Sequence, residues 1–190
     1  MKRRKAIAGI FALTAIGAAS YTGWNLYGVT RNPQLKTLDD YTDMLADLVE
    51  IIIPSTDTPG AKSAGVQHYV VLIIKEATGK KDQNNFINGL NDFREYCLSN
   101  YGKVYEKCAH IDKIKALDHF EKKASYRGII GKVKNKFFGK SFFSLLKDLT
   151  VEGYCTSEIG ATQHLAYQYV PGEYNACMDI NEKQKTWATK

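Results

Sequence analysis

The tightest constraint on this chain lies between Val49 and Val66. There an apolar helical pattern runs into Pro54, then into a polar segment with its own Pro59-Gly60 pair, before apolar spacing resumes. Proline disfavours helical geometry in the residue before it, so a helix arriving here must stop at Ile53. Pro59 presets φ for the first corner of a turn, and Gly60 suits the positive φ that a type II turn demands next. Ser63 offers a side-chain oxygen to the orphan amides of a following helix. These residues predict a rigid polar corner between two apolar helices. Taken by itself, such a corner is a helix–helix connection, for it holds neither a nucleophile with its base nor a set of metal ligands.

The spacing of apolar residues supplies the helices on either side. Upstream, Leu38, Tyr41, Leu45, Leu48, Val49 and Ile52 recur every three or four residues, and Thr37 with Asp40 reads as a capping box. Downstream, Val70, Val71, Ile73 and Ile74 favour a strand on propensity alone. That run is long for a strand, and Ser63 and Gly79 fit as helix boundaries, so a buried helix is expected over residues 66–78. His68 on it reads as a core-edge or interface residue. A third helix is expected from Asp82 to Tyr101, with Phe86, Leu90, Phe93 and Cys97 on one stripe and Gly102 ending it. Another runs from Asp112 to Ala124 and carries Ile114, Leu117 and Phe120; the last, from Phe142 to Val151, carries Phe143, Leu146 and Leu149. Between these two, Gly128, Gly131 and Gly139 alternate with Arg127, Lys132, Lys134, Lys136, Lys140, Phe137 and Phe138. Basic residues interleaved with aromatics suit contact with anionic lipid or RNA, but this stretch reads first as a solvated loop or a docking surface. The expected fold is all-α: a compact bundle of five to six helices in residues 37–190, preceded by an export segment (1–23) and a linker (24–36).

Charge adds little to this picture. The net charge is +6, but Lys2, Arg3, Arg4 and Lys5 supply four of those charges, leaving 22 basic against 20 acidic residues in the remainder. That balance makes no case for nucleic-acid binding. The four charges instead head an apolar run from Ala6 to Ala19, with small residues at Gly17, Ala18 and Ala19 ahead of Ser20, which is the layout of an export signal. Arg3-Arg4 points to the twin-arginine route, although Lys5-Ala6-Ile7 lacks the bulky apolar pair that usually follows. The rival reading is an uncleaved anchor, which would make this segment the chain's membrane contact.

An exported chain with four cysteines is expected to pair them, and four cysteines allow three connectivities. Local order favours Cys97 with Cys108 and Cys155 with Cys177. No Cys-x-x-Cys, tight Cys/His cluster or Cys-x-x-Cys-His occurs, so neither a metal centre nor covalent haem is expected. There is no glycine-rich dinucleotide fingerprint, phosphate loop or nucleophile elbow. His110, His119 and His164 are scattered. Twelve tyrosines favour protein contacts, since Tyr is both large and hydrogen-bonding.

Two segments carry a family resemblance. Thr56-Asp57-Thr58-Pro59-Gly60-Ala61 followed by Ala64-Gly65-Val66 resembles the signature loop of the gluconate 2-dehydrogenase subunit 3 family. Gly153-Tyr154-Cys155-Thr156-Ser157-Glu158-Ile159-Gly160, continuing in Leu165, Tyr167, Val170-Pro171-Gly172 and Tyr174, resembles its second motif. With the Arg-Arg leader, these span most of the chain in the family's order. The resemblance implies a small periplasmic, non-catalytic subunit that binds no cofactor itself. Its partner would be a large FAD-dependent sugar or polyol dehydrogenase of the glucose-methanol-choline type, which passes electrons to a cytochrome c. The small subunit would carry the export signal and escort or stabilise the large one. Carried over residue by residue, the interface or structural positions are Thr56, Asp57, Thr58, Pro59, Gly60, Tyr154, Thr156, Ser157 and Glu158. Two other classes compete with this one. One is a free-standing periplasmic binding or enzyme domain using Asp57, Glu158 and a histidine, and the other is a membrane-tethered structural protein.

Overall fold

Pro54 does what its chemistry requires: the helix before it ends at Ile53, which leaves the helical region at φ −128° and ψ 88°. The computed structural model describes residues 23, 27–124, 135–170, 172, 177 and 184–188. Five α-helices form its body: α1 (Thr42–Ile52), α2 (Val66–Glu76), α3 (Lys80–Tyr101), α4 (His110–Ala124) and α5 (Phe142–Thr156). No strand occurs among the described residues beyond an isolated parallel bridge between Ala166 and Trp187. The all-α expectation and the five-to-six-helix count both hold. No helix among the described residues is long and apolar enough to cross a membrane. Of the export or anchor segment only Gly23 is described, so that reading lies outside the described residues, as do Gly128, Gly131, Pro171 and Tyr174.

Several boundaries differ from the sequence reading. The helix expected to open at Thr37 begins as a 3₁₀ segment, Leu35–Tyr41, and turns α-helical only at Thr42. In a 3₁₀ helix residues i and i+3 eclipse, and here that places Leu38 and Tyr41 together in the core. Thr37 caps nothing, because its hydroxyl donates backward to the Gln34 carbonyl at 2.7 Å. Ser63 does not cap α2 either; Gly65 occupies that position at φ +71°. Gly79 opens α3 rather than ending α2. The end of α2 is closed instead by side chains: Thr78 donates to the Ile74 carbonyl at 2.7 Å, and the buried Gln83 amide donates to Ile74 and Lys75 at 3.0 and 3.2 Å.

Gln83 begins a run of three amides on α3 that tie separate segments to the helix. Asn84 donates to the carbonyls of Val29 and Arg31, inside the expected linker, and Asn85 donates to Phe138 and Lys140. Farther along, the expected stripe of Phe86, Leu90, Phe93 and Cys97 is fully buried, and Gly102 ends the helix at φ +65° as expected. On α4, Leu117 and Phe120 are buried with Ala116, whereas Ile114 faces outward. His68 is also exposed.

The organising element is α5. It touches each of the other four helices, and Phe142, Phe143, Leu145, Leu146, Leu149 and Tyr154 are all buried. A helix apolar around most of its circumference belongs at the centre of a bundle. Its start is capped by Ser141, whose hydroxyl accepts the Ser144 amide at 3.3 Å. Phe142 joins Phe86, Phe93 and Phe120, with ring centroids 5.4, 6.5 and 6.0 Å from its own, in edge and tilted arrangements that aromatic quadrupoles favour.

Helix α5 comes this close to α3 only because residue 89 is glycine: a Cβ there would run into the Phe142 side chain. Gly89→Ala should therefore lower stability by about 1–3 kcal/mol through overpacking, even though alanine is the better helix former. Urea unfolding of the variant beside wild type measures this.

Candidate functional site

The two motifs are nearly a hundred residues apart in sequence, yet they meet in space. The Tyr154 hydroxyl, from a ring 2% exposed, donates to the Pro59 carbonyl at 2.7 Å. Tyr154 reaches that point because its own backbone is closely packed. Gly153 lies against Tyr69 and Val66 of α2, where any Cβ would crowd the Tyr69 ring. Past the end of α5, the Ser157 hydroxyl donates to the Tyr154 carbonyl at 2.7 Å and accepts the Gly160 amide at 3.0 Å. A Cβ on Gly160 would strike that same Tyr154 carbonyl. The π turn that follows, Gly160–His164, brings His164 edge-on to the Tyr154 ring at 5.6 Å. Ser157, Gly153 and Gly160 thus serve one purpose, which is to place the Tyr154 hydroxyl.

The other half of the contact is the corner between α1 and α2. Its backbone is held by Glu50, whose two carboxylate oxygens accept the Ser55 and Lys62 amides, each at 2.9 Å. The Ala61 amide donates to Ile53 at 2.9 Å and the Thr56 amide to Thr58 at 3.0 Å, closing the loop on itself. The type II turn expected at Pro59-Gly60 does not form, because Gly60 lacks a positive φ. Glycine is required there for a different reason: a Cβ would collide with both Glu50 oxygens and the Ser55 nitrogen.

One turn earlier on α1, Asp47 pairs with Lys62 at 3.1 Å and with Lys113 of α4 at 2.8 Å. Burial pushes the Asp47 carboxyl up, but the hydrogen bonds and charges of Lys113 and Lys62 more than offset it, leaving it below its ordinary value. Lys113, 12% exposed, also lies 4.3 Å from the centre of the Tyr105 ring.

The outer surface of the corner is polar. Thr56, Asp57, Thr156 and Glu158 are exposed, with Thr58 and Ser157 half-buried. Thr56 donates to Asp57 Oδ1 at 2.9 Å. This bond, with backbone amides and the charge of Lys185, holds the Asp57 carboxyl below its usual range. The Thr156 hydroxyl turns back to the Glu152 carbonyl at 2.8 Å. Lys185 donates to the Gln163 carbonyl at 2.7 Å, and backbone bonds from Ala166 to Thr186 and from Ala188 to Ala166 seat residues 184–188 beside the second motif. Tyr167, Tyr169, Val170 and Trp187 are exposed along these two segments.

No three of His, Cys, Asp and Glu gather as a metal-holding group among the described residues. A hollow of about 430 Å³ lined by Thr30, Gly79–Asp82, Asn135 and Gly139 shares no residue with the corner. Cys97, Cys108 and Cys155 carry thiols here. Cys97 and Cys108 are buried, Cys155 is half-buried and Cys177 is exposed.

Sequence reasoning missed Glu50, Asp47, Lys185 and Trp187. A signal existed for Glu50. A carboxylate in the last turn of a helix opposes the helix dipole, so such a residue is expected to be held by another partner. Nothing local marked Lys185 or Trp187, whose positions depend on the return of the chain.

Glu50→Ala removes two charge-assisted bonds to amides of the corner and should cost about 1–2 kcal/mol. Gly60→Ala should cost less in the Glu50→Ala background than alone, because the clash partly disappears; a double-mutant cycle in urea reads this coupling. Since the Asp47 carboxyl is a stronger acid in the folded chain, its contribution is present at neutral pH and lost as pH falls through the folded value. Asp47→Asn should accordingly cost up to about 1 kcal/mol at pH 7, as befits a partly exposed pair, with the gap from wild type closing below about pH 4. Chemical denaturation across pH follows this difference.

A search of curated proteins and one of solved structures found no match. A family model, described as gluconate 2-dehydrogenase subunit 3, matches residues 39–172, from the 3₁₀ segment before α1 to Gly172 in the continuation of the second motif. That match takes in all five helices and both halves of the Tyr154–Pro59 contact, and the chain belongs to the gluconate 2-dehydrogenase subunit 3 family.

Proposed function

We propose that this protein is the non-catalytic small subunit of a periplasmic FAD-dependent sugar or polyol dehydrogenase of the glucose-methanol-choline type, and that it aids the export, folding or stability of the catalytic subunit. Membership of a family named for a dehydrogenase subunit makes it an accessory component of such a complex. The observation that carries the finer reading is the Tyr154–Pro59 contact. It fuses two distant motifs into one corner on which Thr56, Asp57, Thr156 and Glu158 are exposed. Exposed residues on a hydrogen-bonded corner suit recognition of another protein, because little ordering cost remains at binding. The exposed Tyr167, Tyr169 and Trp187 add the aromatic content typical of interface cores.

In this reading FAD and the oxidation chemistry belong to the large subunit, and a cytochrome c takes the electrons. The leader at residues 1–23 directs export, and any membrane contact is confined to that segment.

Co-expression with a glucose-methanol-choline-type flavoprotein encoded beside it, followed by affinity capture of this chain, provides the test. A yellow partner with dye-linked sugar or polyol oxidation should co-purify. The paired substitution Asp57→Lys and Glu158→Lys should reduce its recovery at least tenfold while leaving the melting temperature of this chain within a few degrees, since both side chains are exposed. A monodisperse monomer that leaves the flavoprotein behind would defeat the proposal.

A further inference from the structure

The turn between α3 and α4 is thinly covered. Leu98, Val104, Ile111 and Ile114 around it are all exposed. Its backbone is held by short-range bonds only: Gly102 to Leu98 at 3.0 Å, Lys107 to Val104 at 2.9 Å and Cys108 to Tyr105 at 3.1 Å. Its anchor is Tyr105, buried edge-on to Phe93 with ring centroids 5.8 Å apart. Phe93 lies one helical turn before Cys97, so folding Tyr105 onto it delivers Cys108 to Cys97. Both sulfurs lie in the core, Cys97 fully buried and Cys108 8% exposed. Both residues belong to one buried cluster with Phe93 and Tyr105. Cys108 also donates weakly to the Val104 and Lys103 carbonyls, at 3.5 and 3.7 Å.

We propose that Cys97 and Cys108 are the two halves of a disulfide that fastens the α3–α4 turn, formed when the folding chain meets an oxidant of the disulfide class. The exchange balances simply. The Cys108 thiolate attacks one sulfur of oxidised glutathione, breaking its S–S bond and releasing the first glutathione thiolate. The Cys97 thiolate then attacks Cys108 Sγ and expels the second. Two protein thiols lose two electrons and two protons, and one glutathione disulfide becomes two thiols. Burial, and then the neighbouring Cys108, push the Cys97 thiol up to about 12, so attack is slow once the turn has closed. The bond therefore forms readily during folding and slowly in the folded chain.

The test uses the full-length purified chain, refolded with oxidised glutathione or with a reductant, then alkylated and digested with trypsin. Lys103 and Lys107 lie between the two cysteines, so cleavage separates residues 95–103 from residues 108–113 unless sulfur joins them. The expected product is that linked pair, about 2 Da lighter than its separate reduced peptides combined. Oxidised protein should melt roughly 5–10 °C above reduced protein. Cys108→Ser should abolish that difference and Cys155→Ser should preserve it. Should either variant fail to fold, the wild-type peptide map still decides. Complete alkylation of both residues after oxidative refolding, or a link from Cys97 to Cys155 or Cys177, would overturn the proposal. Faster oxidation of the native chain than of the refolding chain would overturn its order of events.

Discussion

The hydrogen bond from Tyr154 to the Pro59 carbonyl is the point on which the arrangement turns. A buried phenol must find a partner, and a proline-bearing loop has carbonyls to spare because it donates so few of its own bonds. Meeting both needs with one contact fixes the end of α5 against the corner between α1 and α2. The glycines nearby follow from it. Gly153 lets α5 approach Tyr69, Gly160 leaves room for the Tyr154 carbonyl, and Gly60 leaves room for the Glu50 carboxylate that shapes the loop. Each is a place where backbone or a polar group comes too near for a side chain.

Around this joint, charged groups bind separate segments of the chain together. Glu50 replaces missing backbone partners for Ser55 and Lys62. Asp47 links α1, the corner and α4 through two lysines. Gln83, Asn84 and Asn85 perform the same service at the other end of the bundle with neutral amides. These bonds satisfy loop carbonyls and amides that no helix can serve. Connections of this irregularity stay ordered only when side chains take over the missing ladder.

The elements legible from sequence were those whose causes are local. Pro54 announces the end of α1, Gly102 the end of α3, and apolar spacing recovered the buried stripe from Phe86 to Cys97. The errors came where a tertiary partner replaced a local one. Thr37 and Ser63 look like caps, but a 3₁₀ turn and a left-handed Gly65 occupy those sites. The constraint on Gly60 is the Glu50 carboxylate, ten residues away, and not its own φ, so its neighbours in sequence do not reveal it. Ile114 fits the helical period of α4 yet lies off its buried face, since period alone does not say which side meets the core. The meeting of the two motifs was invisible to any local rule. It is a contact between residues 59 and 154, and only the assembled bundle creates it.

The place of α5 in the chain has a consequence for how the protein is made. The helix that fills the middle of the bundle is the last of the five to leave the ribosome, and the four before it are complete on their inner faces only in its presence. During synthesis those faces remain uncovered until residues 142–156 emerge, so the sequence separation of the stabilising contacts is long for a helical protein. Such chains collapse late and cooperatively, and a nascent chain truncated before α5 would offer its apolar surface to chaperones instead of to itself.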